Sequence, residues 1–322
     1  MLAVLALALL VIALLGCAVV GLEIAAVRAF AAARTTAAPE LAGAPGVTLL
    51  KPLHGAEPGL FDSLCSFANQ RYAGPMQLLF GVAEASDPAL EAVQRLRQAC
   101  PGRRIDVAIT GPAGTGNAKV ANLAGMSATI AHELIVLSDS DIRVGPDYLE
   151  RTIAALQQPA TGLVTCLYRG DSASGFWGSV AAMWIDERFF PSVLLGVRLG
   201  RARPCVGATM AFSRTTLERI GGFAAFAGHL ADDYAIGEAV RATGQAVRLG
   251  CHVVEHRSDE ASLGAVFAHE LRWARTIRGL DPAGHATSFV LHPLPFALAG
   301  SAVAALAVPG LAPAAAAWLS GL

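Results

Sequence analysis

Charged side chains are scarce in this chain of 322 residues. They make up 15% of the sequence, whereas 54% of the residues are hydrophobic. Soluble domains usually carry about 25% charged residues, so part of the chain is expected to lie in lipid. The formal net charge of -1 gives no reason to expect nucleic acid as a partner.

Cysteine, histidine and phosphate-loop motifs are also lacking. The six cysteines are scattered without a CxxC pair, which fits neither a zinc site nor a disulfide framework and suits a reducing compartment. The stretch 111–119 (GPAGTGNAK) fails the GxxxxGK[ST] spacing, because Asn117 and Ala118 separate Gly116 from Lys119, so an NTPase is not expected. Five histidines show no metal-ligand spacing: His132, His229, His252, His256 and His285.

No basic residue precedes Arg28, and the apolar run 2–22 is long enough to cross a bilayer, which takes about 20 residues. A signal peptide, the competing interpretation, needs a basic n-region and a shorter apolar core. The sequence therefore favours a transmembrane anchor at 1–27, followed by a linker at 28–45. Arg28 and Arg34 predict, by the positive-inside rule, that the domain after the anchor is cytoplasmic.

A second hydrophobic membrane segment is predicted within residues 286–322. Its apolar stretch runs from about 287 to 308, and His292, Pro293 and Pro295 near its start predict a kink. The tail 311–322 is too short to span a bilayer. The number of C-terminal spans therefore stays open.

Residues 46–285 alternate between short apolar runs and helical patterns. Strands are predicted at 47–50, 76–82, 105–109, 134–137 and 163–167, and helices at 60–69, 88–99, 118–131 and 148–156. This order predicts an α/β domain with a mostly parallel sheet and helices on both faces. Ligands of such sheets bind beyond the carboxyl ends of the strands.

Two acidic residues, Asp139 and Asp141, follow the fourth predicted strand within the sequence SDSD. Two carboxylates two residues apart can point the same way as they leave a strand. A divalent cation such as Mg²⁺ or Mn²⁺ relieves their repulsion and also binds substrate phosphates. The alternative is a turn or helix cap, where Asp is common.

Further acidic residues occur near the predicted second strand and at a later helix start. Asp87 fits a helix N-cap followed by Pro88, so Glu84, closer to the strand end, is the better candidate for a base or ribose contact. Asp232 and Asp233 begin a predicted helix, where the helix dipole alone favours an acidic pair. A catalytic role requires that one of them act as a general base.

The predicted helix 262–280 carries a basic and aromatic stripe. His269, Arg272 and Trp273 lie at i, i+3 and i+4 and share a face. In one interpretation this is an interfacial helix that precedes a membrane span. In the other, Arg272 holds a diphosphate and Trp273 packs against an acceptor. The two interpretations are compatible. The stretch 181–199 has two interpretations. It is either a segment on the membrane surface that guides a lipid headgroup into the site, or an ordinary core helix.

Seven stretches in order along the predicted domain resemble the ceramide glucosyltransferase family and its bacterial relatives in hopanoid biosynthesis. They are KPLHGAEP at 51–58, GVAEASDPA at 81–89, NAKVANL at 117–123, SDSDIRV at 138–144, GATMAFSR at 207–214, GGFAAFAGHLADDY at 221–234 and HELRWARTIR at 269–278.

The resemblance implies a Rossmann-like GT-A catalytic domain flanked by transmembrane helices. It implies an inverting hexosyltransferase that uses Mg²⁺ or Mn²⁺ and moves GlcNAc or glucose from a UDP-sugar to a lipid hydroxyl. The implied roles fall into three groups: donor contacts at Glu84, Asp87, Lys119 and Asp139; metal ligands at Asp139 and Asp141; and catalytic residues at Asp233, Asp232, Arg272, Trp273 and His269.

Two departures from the family pattern bear on these roles. The family pattern has three Asp positions and a [QR]xxRW signature. The first Asp position falls nearest to Glu84 in this sequence, or shifts to Asp87, and His269 stands where the signature has Gln or Arg. A histidine at this position resembles the hopanoid branch of the family. That resemblance implies a multi-pass protein of the bacterial inner membrane and a polyol acceptor such as bacteriohopanetetrol. Ceramide is the alternative acceptor. A processive polysaccharide synthase and a non-catalytic membrane scaffold are the rival functions.

Overall fold

The computed structural model describes residues 1–35, 41–114, 116–172 and 175–307. Two compact units divide the chain: one comprises 30–267, and the other combines the residues up to Ala29 with those from Ala268 onward. The predicted tail 311–322 and residues 36–40 of the predicted linker lie outside the described part.

Among the described residues of the larger unit, ten strands form two sheets. The strands are β1 Val47–Pro52, β2 Met76–Val82, β3 Arg104–Ile109, β4 Leu134–Leu137, β5 Ile142–Arg143, β6 Thr161–Thr165, β7 Tyr168–Ser172, β8 Met210–Ser213, β9 Ala246–Leu249 and β10 Val254–Ser258.

The described helices of both units follow in chain order. They are α1 Leu2–Thr35, α2 Leu60–Ala68, α3 Ala89–Ala99, α4 Ala118–Met126, α5 Tyr148–Leu156, α6 Gly175–Trp184, α7 Phe190–Arg198, α8 Arg214–Arg219, α9 Asp232–Ala242, α10 Leu263–Leu280, α11 Pro282–Thr287 and α12 Pro293–Ala307. The predicted helix 118–131 ends early, at Met126, and a 3₁₀ turn follows at Ser127–Thr129, where serine and threonine have low helix propensity.

The seven-stranded sheet has the order β3-β2-β1-β4-β8-β6-β9, and β8 alone in it is antiparallel to its neighbours. The predicted α/β fold with a mostly parallel sheet is confirmed. Leu50 of β1 pairs with Leu137 of β4, which pairs with Met210 of β8. Residues that precede β8 therefore lie at the same edge as residues that follow β1 and β4.

A second sheet of three strands was not predicted from the sequence. Its central strand β10 runs antiparallel to β5 and parallel to β7. The sequences of β7 (YRGDS) and β10 (VEHRS) are polar, and β5 has two residues, so none of them presents an apolar run. This sheet brings β10 beside the residues that follow β4.

The core of the larger unit packs helices against the seven-stranded sheet. Apolar side chains dominate it because their burial supplies the main driving force for folding. Its fully buried members include Leu50, Leu79, Leu123, Ile135, Leu137, Leu163, Met210 and Ile236.

The stretch 181–199 runs from the end of α6 through a π-helical turn at Ile185–Phe189 into α7. Ile185 and Leu194 are buried, whereas Met183, Trp184 and Leu199 are exposed. The stretch thus contributes to the core on one side and leaves large apolar side chains exposed on another. Both interpretations of it stay open.

In the smaller unit, α1 packs closely against α12. A Cβ at Gly16 would lie 3.0 Å from Cβ of Pro293, and one at Gly300 would lie 2.9 Å from Cγ of Leu10. Within the described residues, the helix Leu2–Ala33 is long and apolar enough to cross a membrane, and the pair Pro282–Leu291 and Pro293–Ala307, bent by 57°, meets the same criterion if taken as one span. The predicted kink is confirmed.

Candidate active site

The loop that follows β4 is held between β1 and the segment that precedes β8. The Ser138 amide donates to the Leu50 carbonyl oxygen (3.0 Å), and the Asp139 amide donates to the carbonyl oxygen of Gly207 (3.3 Å). The antiparallel course of β8 is what places Gly207 here. The predicted acidic residues thus lie at the carboxyl edge of the sheet, where α/β proteins bind their ligands.

Lys119, near the start of α4, pairs with two of the predicted acidic residues. Asn117 caps α4 by accepting from the amides of Lys119 (3.0 Å) and Val120 (3.3 Å). The Lys119 ammonium lies 2.6 Å from Oδ1 of Asp139 and 3.5 Å from Oδ2 of Asp232. Burial opposes the charged ammonium, but Asp139 and Asp232 outweigh it and raise the pKa of Lys119.

Gly207 joins Asp139 to Asp233 through its backbone. Its amide donates to Oδ2 of Asp233 (2.9 Å), while its carbonyl oxygen accepts from Asp139. A Cβ at this position would lie 2.6 Å from Oδ2 of Asp139, so only glycine allows this approach. The Tyr234 amide donates to Oδ1 of Asp233 (2.7 Å).

Asp232 and Asp233 differ in their surroundings although they are neighbours at the start of α9. Asp232 is buried and accepts from Asn117 Nδ2 (3.3 Å) in addition to its pairing with Lys119. Burial raises the pKa of Asp233 to about 6, against the opposing effect of Lys119. A carboxylate with this pKa is suited to accept a proton near neutral pH.

Asp141 is held by β10. His256 Nε2 lies 3.1 Å from Oδ2 of Asp141, and the Arg257 amide donates to the Asp141 carbonyl oxygen (2.9 Å). Burial disfavours both charges, but the mutual attraction outweighs it, lowering the pKa of Asp141 and raising that of His256. Because β4 ends at Leu137, strand alternation does not extend to Asp139 and Asp141, and the two carboxylates have different partners. That they hold the same cation stays a prediction.

A buried lysine lies at the end of β1. Lys51 is 1% exposed, and its Nζ donates to the Asp139 carbonyl oxygen (2.5 Å) and lies 3.4 Å from Oγ of Ser138. Nζ also stands 3.8 Å from the centre of the Phe67 ring. Burial lowers the pKa of Lys51 to about 7, although Asp141 and Asp139 act in the opposite direction.

The acidic residues fit a divalent cation that is shared with a substrate. No group of three or more His, Cys, Asp or Glu side chains within the described residues is arranged to hold a metal on its own. Oδ1 of Asp141 is a buried oxygen with no hydrogen-bond partner among those residues. Mg²⁺-type ions commonly bind one or two carboxylates and complete their shell with water and substrate phosphates, so Asp139 and Asp141 fit this pattern.

Glu84 and Asp87, the two candidates for the first Asp position of the family pattern, have different environments. Asp87 Oδ1 accepts from the amides of Gly55 (2.9 Å) and Ala89 (2.9 Å), and its Oδ2 lies 3.5 Å from His54 Nδ1. Asp87 therefore caps α3 and ties it to the loop after β1. Glu84 is exposed. A donor contact by either residue stays a prediction, and the geometry favours Glu84 because Asp87 is engaged.

His269, Arg272 and Trp273 lie on α10, in the part that belongs to the smaller unit. The His269 ring meets the Trp273 ring edge-on, with centroids 4.9 Å apart, and Arg272 is exposed. The roles that the family resemblance implies for these three residues stay predictions.

Sequence reasoning missed the roles of Lys51, Asn117, Gly207 and His256. The N-cap role of Asn117 had a local signal, since Asn before a helical run is a preferred cap. Lys51 and Gly207 stood inside the motifs that carried the resemblance, but no spacing rule linked them to Asp139. His256 had no signal, because its contact depends on the second sheet.

The sheet order and the carboxylates at its edge define a GT-A-like glycosyltransferase fold. Among solved structures, a mannosyltransferase from Pyrobaculum calidifontis in complex with GDP-Man and Mn²⁺ is similar, with a TM-score of 0.57 and 21% identity; the alignment covers 100% of this chain and 91% of that one. At this identity the likeness concerns the fold alone.

The family follows from the sequence comparison. The profile of glycosyl transferase family 21 matches residues 8–320, and the chain belongs to that family. Ceramide glucosyltransferase 1 of Caenorhabditis elegans is 25% identical over 232 residues, and ceramide glucosyltransferase 3 of the same animal is 24% identical over 241. Each match covers 72% of this chain, which spans about half the length of those relatives (49% and 50%).

Proposed function

We propose that the chain is a membrane-bound, inverting hexosyltransferase that moves GlcNAc or glucose from a UDP-sugar to a lipid hydroxyl. The observation that carries the proposal is the joining of Asp139 to Asp233 through the backbone of Gly207, at the ligand-binding edge of a GT-A-like sheet. This arrangement holds a candidate metal ligand and a candidate base in a fixed relation. Membership in family 21 supports it.

The donor is held at the acidic loop after β4. Asp139 and Asp141 would hold the cation, and a bound cation would supply positive charge to neutralise the departing diphosphate. Lys119 adjoins Asp139 and supplies a second positive charge for the donor phosphates. Glu84 contacts the nucleoside.

The acceptor hydroxyl gives its proton to Asp233. Each carboxylate oxygen of Asp233 accepts one backbone amide, which fixes the orientation of the group and leaves lone pairs for the proton. The deprotonated oxygen forms a bond to the anomeric carbon as the bond from that carbon to UDP breaks on the opposite face, which inverts the configuration. Asp232 stays paired with Lys119 and Asn117, and positions them.

The acceptor is a hopanoid polyol in this proposal, because His269 stands where Gln or Arg is usual in the ceramide enzymes. Ceramide is the second candidate, which the nematode relatives support. The apolar helix Leu2–Ala33 supports attachment to a membrane, with the larger unit on the cytoplasmic side as Arg28 predicts.

The test uses the full chain purified in detergent. We expect UDP release from UDP-GlcNAc or UDP-glucose when a hopanoid polyol is supplied, and loss of release after chelation of divalent cations. Asp233→Asn is expected to abolish release. Asp147→Asn, which alters a partly exposed carboxylate paired with Arg151, is the matched control and is expected to retain it. Full activity of Asp233→Asn, or activity without a cation, refutes the mechanism.

A further inference from the structure

The environment of Lys51 is unusual for an ammonium group. Removing such a charge from water is costly, and a paired carboxylate usually offsets that cost. The direct contacts of Nζ are a carbonyl oxygen, a hydroxyl oxygen and an aromatic ring, on Asp139, Ser138 and Phe67. An apolar side chain of similar length would fill this space without the desolvation penalty, so the packing of β1 does not by itself require a lysine.

The hydrogen bond from Lys51 acts on the backbone of Asp139. The Asp139 carbonyl oxygen accepts from Lys51 at 2.5 Å and from the Ile142 amide at 3.4 Å, and its amide donates to Gly207 at 3.3 Å. The peptide groups on both sides of the Asp139 Cα atom are therefore tied to other parts of the sheet. These two ties fix the direction of the Asp139 Cα–Cβ bond, and Lys119 holds the carboxylate at its end.

The same ties affect Asp141, which is only two residues further along. Its carbonyl oxygen accepts from the Arg257 amide and its carboxylate pairs with His256. The loop 138–141 is thus fixed from β1 through Lys51, from the segment before β8 through Gly207, and from β10. The Asp139 carbonyl oxygen belongs to the peptide group between Asp139 and Ser140. Lys51 donates to it from β1 at 2.5 Å, and the hydroxyl of the neighbouring Ser138 donates to it at 3.4 Å.

We propose that Lys51 is a positioning residue whose ammonium holds the Asp139 peptide group, so that Asp139 and Asp141 bind the same cation. The inference rests on the proposed function, since it assigns the loop to a cation shared with a nucleoside diphosphate. Lys51 acts through Asp139 and contacts no substrate. Loss of a residue that orients metal ligands typically lowers metal affinity about 10–100-fold.

A role in folding alone predicts a different outcome for Lys51→Met. If Lys51 only fills space, the methionine variant keeps its Mn²⁺ affinity, or loses it in proportion to lost stability. If Lys51 positions the loop, the variant keeps a thermal midpoint within a few degrees of wild type, because the methionine fills the same space. Its Mn²⁺ affinity in the presence of UDP then falls about 10–100-fold.

The experiment is calorimetric titration of MnCl₂ into the full chain in detergent with saturating UDP, alongside thermal unfolding of each variant. Thr48→Val is the matched control, because Thr48 is fully buried on β1 and its hydroxyl donates to Gln77 (2.8 Å) away from the acidic loop. We expect Thr48→Val to lose stability and to keep the Mn²⁺ affinity of wild type. Lys51→Met is expected to keep the stability of wild type and to lose Mn²⁺ affinity.

Wild-type Mn²⁺ affinity in Lys51→Met overturns the inference and leaves the proposed function intact. Absence of Mn²⁺ and UDP binding by the wild type overturns the proposed function, and the inference with it. If Lys51→Met unfolds well below wild type, Lys51→Gln decides, since its amide keeps a donor near the Asp139 carbonyl oxygen. Affinity that is at least partly restored by Gln supports positioning, and affinity that follows stability in both variants overturns it.

Discussion

Replacing Gly207 by alanine changes a residue whose backbone hydrogen-bonds to both Asp139 and Asp233. The new Cβ would lie 2.6 Å from Oδ2 of Asp139 and 2.9 Å from Nζ of Lys119. Ordinary van der Waals contacts of a Cβ begin at 3.4 Å. The Asp139 carboxylate must therefore move by about 0.8 Å, because contacts at shorter range are strongly repulsive.

The size of the effect follows from this displacement. Misplacement of a catalytic group by about 1 Å lowers activity about 100-fold, and disturbed orientation of a metal ligand lowers metal affinity about 10–100-fold. Overpacking of a tight site lowers the free energy of unfolding by about 1–3 kcal/mol. The Gly207→Ala protein is therefore expected to stay folded while losing most of its activity.

The assay measures kcat/KM for UDP release, the Kd for Mn²⁺ in the presence of UDP, and thermal unfolding. Gly102→Ala is the control, because a Cβ at Gly102 meets nothing within 4 Å and the backbone there is not in the left-handed region. The control is expected to match wild type in all three measurements. Wild-type activity and Mn²⁺ affinity in Gly207→Ala would contradict the role assigned to this close approach.

Three further predictions concern single groups. Burial raises the pKa of Asp233 to about 6. Since a protonated carboxyl group does not accept a proton, kcat/KM is expected to be level above that pH and to fall about tenfold per pH unit below it. A level profile down to pH 4 would exclude Asp233 as the base. His256→Phe removes the partner of Asp141 and is expected to weaken Mn²⁺ binding about 10–100-fold by calorimetry, with unchanged affinity as the contrary result. The role that the family resemblance implies for Arg272 is to hold the donor diphosphate. On that role Arg272→Ala is expected to lower kcat/KM about 100-fold, and Arg272→Lys is expected not to restore it, because a guanidinium can bind two phosphate oxygens at once and an ammonium cannot. Recovery in Arg272→Lys would argue against this role.

Elements with a strong local pattern were predictable from the sequence. The run LIVL predicted a strand at 134–137, which is β4, because four apolar residues between polar neighbours suit a buried parallel strand. The capping sequence around Asp87 predicted the start of α3, and the side chain accepts from the Ala89 amide as a cap does. The kink at His292 followed from the prolines after it.

Contacts that depend on strand pairing over long sequence distances were not predictable. Gly207 reaches Asp139 only because β8 runs antiparallel between β4 and β6, and no local pattern specifies that direction. His256 reaches Asp141 only because β10 pairs with β5 and β7 in a sheet of polar strands. The candidate acidic residues could thus be proposed from the sequence, whereas the groups that contact them could not.

The most direct test of the proposed function is mass spectrometry of the lipid product. The full chain is incubated in detergent with Mn²⁺, a UDP-sugar and either a hopanoid polyol or ceramide, with Asp233→Asn in parallel. The account predicts a lipid that gains one hexose or one N-acetylhexosamine with wild type and none with Asp233→Asn. A sugar polymer, or an unmodified lipid in the presence of every substrate, would contradict it.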